Sequence, residues 1–245
     1  MTTNLPQIII IPLFDLLLSE AKPIVSIFKQ GLKEKGLPGD EWVLAELIGR
    51  TVPEVVSTLC QRSDNPCNEA TLAEISANIR HQFNAYLGSP INSPQLKEAE
   101  HLLQVLNSKG IKIGVTSWLS KETTEIALKS ANLFDRIDAF THSDSKQAQG
   151  TLPDVIFSLM RKASVTNADR VANLGSTKFD ILRGYHAQCQ WNILMAADKI
   201  NVRWNAYPST AVVSNLQEAM AELFLKSAGP DFYKILNLRN RKNRK

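Results

Sequence analysis

The sequence predicts an α/β protein: a doubly wound parallel sheet with an all-helical segment inserted after its first strand. Three observations carry this reading. Residues 8–11 are four consecutive isoleucines, the pattern of a central parallel strand covered on both faces. From residue 95 onward, short apolar runs alternate with segments of helical period, as expected for βαβ units with right-handed crossovers. Between these two regions lie four helical patterns in succession, with no strand among them.

The elements follow in order. Pro12 has no backbone N–H to donate, so the first strand ends there. Residues 22–35 place Ile24, Ile27, Phe28, Gly31 and Leu32 on one stripe, and Gly36 stops the helix. Further helices are expected over 40–48, over Val52–Gln61, which opens with the capping-type run Thr51-Val52-Pro53-Glu54, and over 71–87. Residues 88–94 combine Gly88 with Pro90 and Pro94 and read as the return linker. Next come a helix over 95–108, a strand Lys112–Thr116, a helix over 121–131 and a short strand over 139–141. A helix over 154–163, a strand Val171–Gly175, a helix over 179–187 and a strand over 190–196 follow. The last strand, Ala211–Val213, and a closing helix over 215–224 complete the series. The expected organisation is an α/β core from 1–18 and 92–233, a helical cap over 19–91 and a tail over 234–245.

Composition narrows the class. At 245 residues the chain can bury a full core, and its 44% hydrophobic and 21% charged content fits a soluble globular protein. No apolar run approaches the roughly 18–20 residues of a membrane span. Met1-Thr2-Thr3-Asn4 supplies no basic segment, so residues 8–18 read as a buried strand rather than a signal peptide. Cys60, Cys67 and Cys189 are odd in number and lack metal-ligand spacing, which points to a reducing cytoplasm. The net charge of +4 is a property of the tail. Lys234, Arg239, Arg241, Lys242, Arg244 and Lys245 contribute six positive charges without an acid, so the rest of the chain carries −2. A tail of Arg and Asn without aromatic residues suits electrostatic contact with an anionic partner, such as nucleic acid, a membrane or an acidic protein face.

Four segments at expected carboxyl ends of strands, where doubly wound sheets bind ligands, hold the candidate chemistry. They are Pro12-Leu13-Phe14-Asp15-Leu16-Leu17, then Gly114-Val115-Thr116-Ser117-Trp118, then Gly150-Thr151-Leu152-Pro153-Asp154, and Val171-Ala172-Asn173-Leu174-Gly175-Ser176-Thr177-Lys178-Phe179-Asp180. With Gly49-Arg50 in the helical segment, this succession resembles the haloacid dehalogenase superfamily, in particular its phosphonatase-like hydrolases, from residue 8 to about 224. The resemblance implies a Rossmann-like core with a helical cap, a nucleophilic Asp at the end of the first strand, and Mg²⁺.

Carried over residue by residue, the resemblance also implies that the chemistry is degenerate. An alignment anchored from Glu20 through the helix ending at Lys35-Gly36-Leu37 sets the nucleophile on Pro12 and the general acid on Phe14. A competing register, at the cost of a three-residue deletion, makes Asp15 the nucleophile. The phosphoryl-binding hydroxyl matches Thr116, with Ser117 beside it. The basic position ahead of Pro153-Asp154 falls on Gly150, with Lys146 nearby. The first acidic position of the fourth segment has become Ser176, and the second is retained as Asp180. Four such losses together argue against an aspartyl-phosphate mechanism, because these groups act as a unit. No cofactor is expected unless the hydrolase alternative holds, in which case Mg²⁺ is.

Ser176, Thr177 and Lys178 at a helix start still offer donors and positive charge for a weak phosphate-containing ligand. Thr116, Ser117 and Asp180 complete that remnant site. Gly175-Ser176-Thr177-Lys178 lacks the glycines of a phosphate-binding P-loop. His81, His101, His142 and His186 are scattered without metal spacing. The cap lysines Lys22, Lys29, Lys33 and Lys35 fit a solvated face better than a Schiff-base role. Trp118, Trp191 and Trp204 follow strand ends, and Trp118 can either fill the old pocket or anchor a partner. The expectation is a binding or scaffolding protein on a hydrolase fold, with a protein partner favoured. The alternatives are a hydrolase acting on a phosphate or phosphonate, and nucleic-acid binding through the tail.

Overall fold

A computed structural model describes residues 5–18, 21–37, 39–62, 67–145, 153–196 and 207–228. Six strands form one sheet: β1 (Ile8–Pro12), β2 (Lys112–Thr116), β3 (Ala139–Phe140), β4 (Val171–Gly175), β5 (Trp191–Met195) and β6 (Ala211–Val213). The order is β3-β2-β1-β4-β5-β6 and every pairing is parallel. Chain progression reverses between β1 and β4, which makes their carboxyl ends the topological switch point. The four isoleucines of β1 are fully buried. Ile9 and Ile11 join one apolar cluster, Ile8 and Ile10 another, because alternate strand residues face opposite sides of a sheet.

Helices cover both faces. On the Ile9 and Ile11 side lie α6 (Pro94–Ser108) and α10 (Leu216–Ala228); against the other side pack α8 (Asp154–Lys162) and α9 (Lys178–His186). The four consecutive helices are α2 (Lys22–Lys33), α3 (Glu41–Leu47), α4 (Val52–Gln61) and α5 (Glu69–Gly88). They meet one another through α5, which also packs on α7 (Lys121–Ser130). Phe28, Ile79 and Phe83 are buried there. The opening of α4 is the predicted capping box: Glu54 Oε2 accepts from Thr51 N at 2.8 Å and Thr51 Oγ at 2.7 Å.

Two local expectations are corrected. Residues 13–17 form a short helix, α1 (Leu13–Leu17), where the sequence reads as a buried strand over 8–18. All five side chains are buried, so no polar face gives the helix a periodic signature. Cys60 and Cys67 form a disulfide between the end of α4 and the residue before the Asn68 cap of α5, so a reduced state for all three cysteines does not hold. Cys189 is a buried free thiol whose pKa is pushed up to about 12 by burial. Among the described residues, no helix is long and apolar enough to cross a membrane.

One buried polar network fixes α9 on the sheet. Asn173 and Asn192 sit opposite each other on β4 and β5. Asn173 Nδ2 donates to Asn192 Oδ1 at 2.8 Å and to the Asp180 carbonyl at 3.0 Å. Asn192 Nδ2 donates to the carbonyls of Ile181 and Pro208, both at 2.9 Å. Asn192→Ala removes one acceptor from the Asn173 amide and a donor from the carbonyls of Ile181 and Pro208, so urea unfolding should show a loss of about 1–3 kcal/mol. An unchanged midpoint would mean that the network does not hold α9.

Candidate functional site

At the switch point the sheet splays. β1 pairs with β2 as far as Pro12 opposite Thr116, but with β4 only as far as Ile10 opposite Asn173. A cleft of about 1050 Å³ opens over this end, between the sheet and the segment running from α2 to α4. Pro12, Asp15, Thr116, Ser176, Lys178 and Asp180 all line it. The structure thus brings together most positions singled out from the sequence. Lys146, Gly150, Trp204 and the tail residues Arg239, Arg241, Lys242, Arg244 and Lys245 lie outside the described residues.

Pro12 ends β1 and begins α1 with extended torsions, φ −63° and ψ 142°. It presents no hydroxyl, carboxylate or N–H to the cleft. α1 carries Asp15 inward, where the carboxylate is 8% exposed. Gln95 Nε2 donates to the Asp15 carbonyl oxygen at 2.5 Å and ties α1 to α6. Ser176 Oγ donates to Asp15 Oδ1 at 2.6 Å, while Asp15 Oδ2 is buried without a partner. Burial raises the Asp15 pKa, the nearby Asp180 raises it further, and the Ser176 bonds only partly offset this; the result is about 7. An unpartnered buried oxygen suits a protonated carboxyl better than an ionised one.

Asp180 is held differently. It sits in the first turn of α9 and accepts from Thr177 N at 3.1 Å and Thr177 Oγ at 2.5 Å, while Thr177 Oγ caps Asp180 N at 3.3 Å. The capping residue is therefore Thr177, and Asp180 reciprocates from the third position. Arg183 Nη1 donates to Asp180 Oδ1 at 3.1 Å. Burial pushes Asp180 upward as well, but Arg183 and Thr177 pull against it, so Asp15 takes the proton of the pair. Gly175 is required beside them, since a Cβ there would collide with the Asp180 side chain.

Mg²⁺ does not fit this donor set. The ion prefers near-octahedral oxygen ligands, including one or two free carboxylates. Here Pro12 offers no ligand, Ser176 offers a hydroxyl already given to Asp15, and Asp180 is committed to Arg183 and Thr177. Asp15 has one spare oxygen, on a group that burial drives toward neutrality. Among the described residues no three His, Cys, Asp or Glu side chains cluster in a way that could hold a metal.

Trp118 is packed inward. Its ring stacks on Phe14 at 5.0 Å and Phe28 at 6.0 Å, and meets Phe83 edge-on at 5.5 Å. Its faces are therefore engaged within the protein, while the half-buried ring still lines the cleft. Trp191 is buried in β5. Ser117 Oγ is likewise engaged: it accepts from Leu119 N at 3.1 Å and from Thr124 Oγ at 2.8 Å. Lys178 and Ser176 are exposed at the cleft wall, and Thr116 is buried at the end of β2.

Sequence reading missed Arg183, although its i,i+3 spacing from Asp180 on a helix was a usable signal. Arg183 also reaches across the cleft, where Nη2 donates to the Gly49 carbonyl at 3.2 Å. Gly49 has φ +98° and lies against Thr177 and Phe179, so a side chain there would be strained as well as crowded.

The sequence profile of the haloacid dehalogenase-like hydrolases matches residues 12–193. A phosphonoacetaldehyde hydrolase from Bacteroides fragilis is 27% identical over 168 residues, which is 67% of this chain and 61% of that protein. The chain thus matches less than two thirds of this relative's length. Among solved structures, a hydrolase from Pseudomonas syringae superposes with a TM-score of 0.73 at 17% identity, covering 88% of this chain and 98% of that one. A phosphonoacetaldehyde hydrolase-like protein from Oleispira antarctica gives 0.73 at 13% identity, covering 92% and 95%. At such identities the superpositions speak to the fold.

The Asp15 carboxyl has a stability consequence. Its folded pKa of about 7 lies above the ordinary 3.8, so the folded state keeps a proton that the unfolded chain releases. Its contribution is full below about pH 4 and is lost as pH rises to about 7. Thermal melts across this range should show stability falling with pH, and Asp15→Asn should flatten that slope. A slope unchanged in the variant would assign the effect to other groups.

Proposed function

The chain belongs to the haloacid dehalogenase-like hydrolase family, and from that premise we propose that it is a catalytically degenerate member, one that receives a small ligand in its cleft without forming an aspartyl-phosphate. One observation carries this reading: the residue at the end of β1, opposite Thr116, is Pro12, which has no atom able to attack phosphorus. The surrounding changes agree with it. Phe14 stacks on Trp118 where the resemblance places a general acid, and Ser176 stands at a carboxylate position and binds Asp15. Positioned acid–base groups contribute factors of about 10²–10⁴ each, and their loss as a set leaves little chemistry.

In this reading α2 to α5 form a cap over the core, and the cleft between them remains a binding space. Thr116, Thr177 and Lys178 supply hydroxyls and a cation along its wall, and Leu13, Ile24 and Ile48 supply apolar surface. A cavity of this size and mixed lining suits a small organic molecule.

A second reading rests on a specific observation as well. Asp15 lines the cleft with one oxygen unpartnered, and the Bacteroides fragilis relative is a phosphonoacetaldehyde hydrolase. A hydrolase of this kind would use Asp15 as a displaced nucleophile, with Thr116 positioning the phosphoryl or phosphonyl group. Against it, Asp15 is held by Ser176 within a buried helix, and a pKa raised to about 7 leaves the carboxyl only partly ionised at neutral pH, which weakens it as a nucleophile.

Phosphate release from phosphomonoesters and from phosphonoacetaldehyde, with and without Mg²⁺, separates the two. The expected result is no release above the level of Asp15→Ala and no effect of Mg²⁺. Turnover that needs Mg²⁺ and disappears in both Asp15→Ala and Asp180→Asn would establish the hydrolase and retire the degenerate reading.

A further inference from the structure

The Cys60–Cys67 disulfide sits in the helical segment rather than among the strands. It links residues only seven apart, from the last turn of α4 to the residue before the Asn68 cap of α5. A cross-link stabilises a whole fold mainly by restricting the unfolded chain, and that effect grows with the length of the loop it closes. Disulfides that act as staples belong to small domains without an adequate core. This chain has 245 residues and buries an extensive apolar core on both faces of its sheet. The bond is thus placed for local control rather than for global stability.

α4 connects that bond to the cleft. Val52, Val55, Val56 and Leu59 are buried along it, and α4 packs on α5, which buries Ile75, Ile79 and Phe83. Arg62 follows Cys60 by two residues, donates its backbone N–H to the Leu59 carbonyl at 3.1 Å, and lines the cleft. At the opposite end of α4, Arg50 precedes the Thr51–Glu54 box and lines the cleft as well. Both ends of the helix therefore border the cleft, and the disulfide fixes one of them to the start of α5. The third cysteine is kept out of any exchange with this pair. Cys60 belongs to one apolar cluster, whereas Cys189 is buried in the other, across the sheet. With its thiol pKa pushed up to about 12, Cys189 supplies no thiolate near neutrality.

We infer that Cys60 and Cys67 form a reversible dithiol–disulfide switch, which holds the Arg62 wall of the cleft when oxidised and releases it when reduced. The inference rests on the cleft being a binding space, as proposed above, and adds its regulation. The reductant is a dithiol. Cys67 is half-buried while Cys60 is 2% exposed, so the incoming thiolate attacks Cys67 Sγ, and Cys60 leaves as a thiolate and takes up a proton. The second thiolate of the reductant then attacks the reductant's own sulfur in the mixed disulfide. This closes the reductant's disulfide and releases Cys67, which is protonated in turn. Two electrons and two protons pass from the dithiol to the protein. The covalent tie between α4 and α5 is then the backbone alone, and Arg62 is held by the last turn of a ten-residue helix.

Hydrogen–deuterium exchange of the whole chain tests this, with the thiol state read by alkylation and mass spectrometry. After incubation with glutathione disulfide, Cys60 and Cys67 should resist alkylation in denaturant, and dithiothreitol should free both. On reduction, amides of the cleft-wall segments 47–50 and 59–62 should exchange about tenfold faster or more, because local opening then breaks the contacts of one helix only. Amides of 8–12 in β1 should keep their rates, and reoxidation should restore the slow exchange. Cys67→Ser should show the fast exchange with or without dithiothreitol, and it leaves the buried Cys60 side chain in place. Three results would overturn the inference. The first is a pair that stays open to alkylation after glutathione disulfide. The second is exchange at 47–50 and 59–62 that is equal in the two states. The third is acceleration spread evenly into 8–12, which would make the bond a staple of the whole fold. None of them bears on whether Pro12 abolishes turnover, which the phosphate-release assay decides by itself.

Discussion

Two buried carboxyl groups share one paired guanidinium at the open end of the sheet, and the candidate site is arranged around that shortage. Arg183 pairs with Asp180, and Thr177 adds two more donors. Asp15 is met by Ser176, through its hydroxyl and its backbone, and by no guanidinium among the described residues. Charge in a region of low dielectric is stable only where it is compensated, so the ionised form concentrates on Asp180 and the proton on Asp15. From this division follows the poor fit of these side chains to a divalent cation. The same guanidinium reaches the Gly49 carbonyl, so the group that settles the electrostatics of the sheet end also fastens the segment before α4.

Around this polar centre the packing has moved in a consistent direction. Phe14, Trp118, Phe28 and Phe83 form one continuous aromatic contact from α1 to α2 and α5. Rings at these separations contribute beyond the area they bury. The cleft is therefore apolar beside the first strand and polar along the start of α9. That asymmetry is more useful for holding a molecule by its two ends than for stabilising charge that develops at a reacting centre.

Much of the fold was legible because its elements have strong local signatures. The isoleucine run of β1, the uninterrupted strands Lys112–Thr116 and Val171–Gly175, and the Thr51–Glu54 box each carry their structure within a few residues. The short helix α1 escaped because a helix buried on every side shows no alternation of polar and apolar positions. In the site, Pro12, Ser176 and Asp180 were singled out from the sequence and all line the cleft, yet the contact of Ser176 with Asp15 was not legible, since 161 residues separate them. The same holds for Arg183 against Gly49, since only the closed topology puts them together. The Cys60–Cys67 pair was missed for another reason: a total of three cysteines in a chain of this length carries no pairing information.

The aromatic contact also bears on how the chain could change in future. A carboxylate introduced at position 14 would land against the Phe83 and Trp118 rings, and removing the Phe14 ring would leave a void beside Trp118. A carboxylate at position 12 would join Asp15 and Asp180 at a strand end where Arg183 is already paired with Asp180. Each such single replacement is thus penalised by its neighbours, and only coordinated replacement of several residues escapes the penalty. The packing works as a ratchet: with these side chains settled around one another, a carboxylate at either position lies several coupled steps away rather than one.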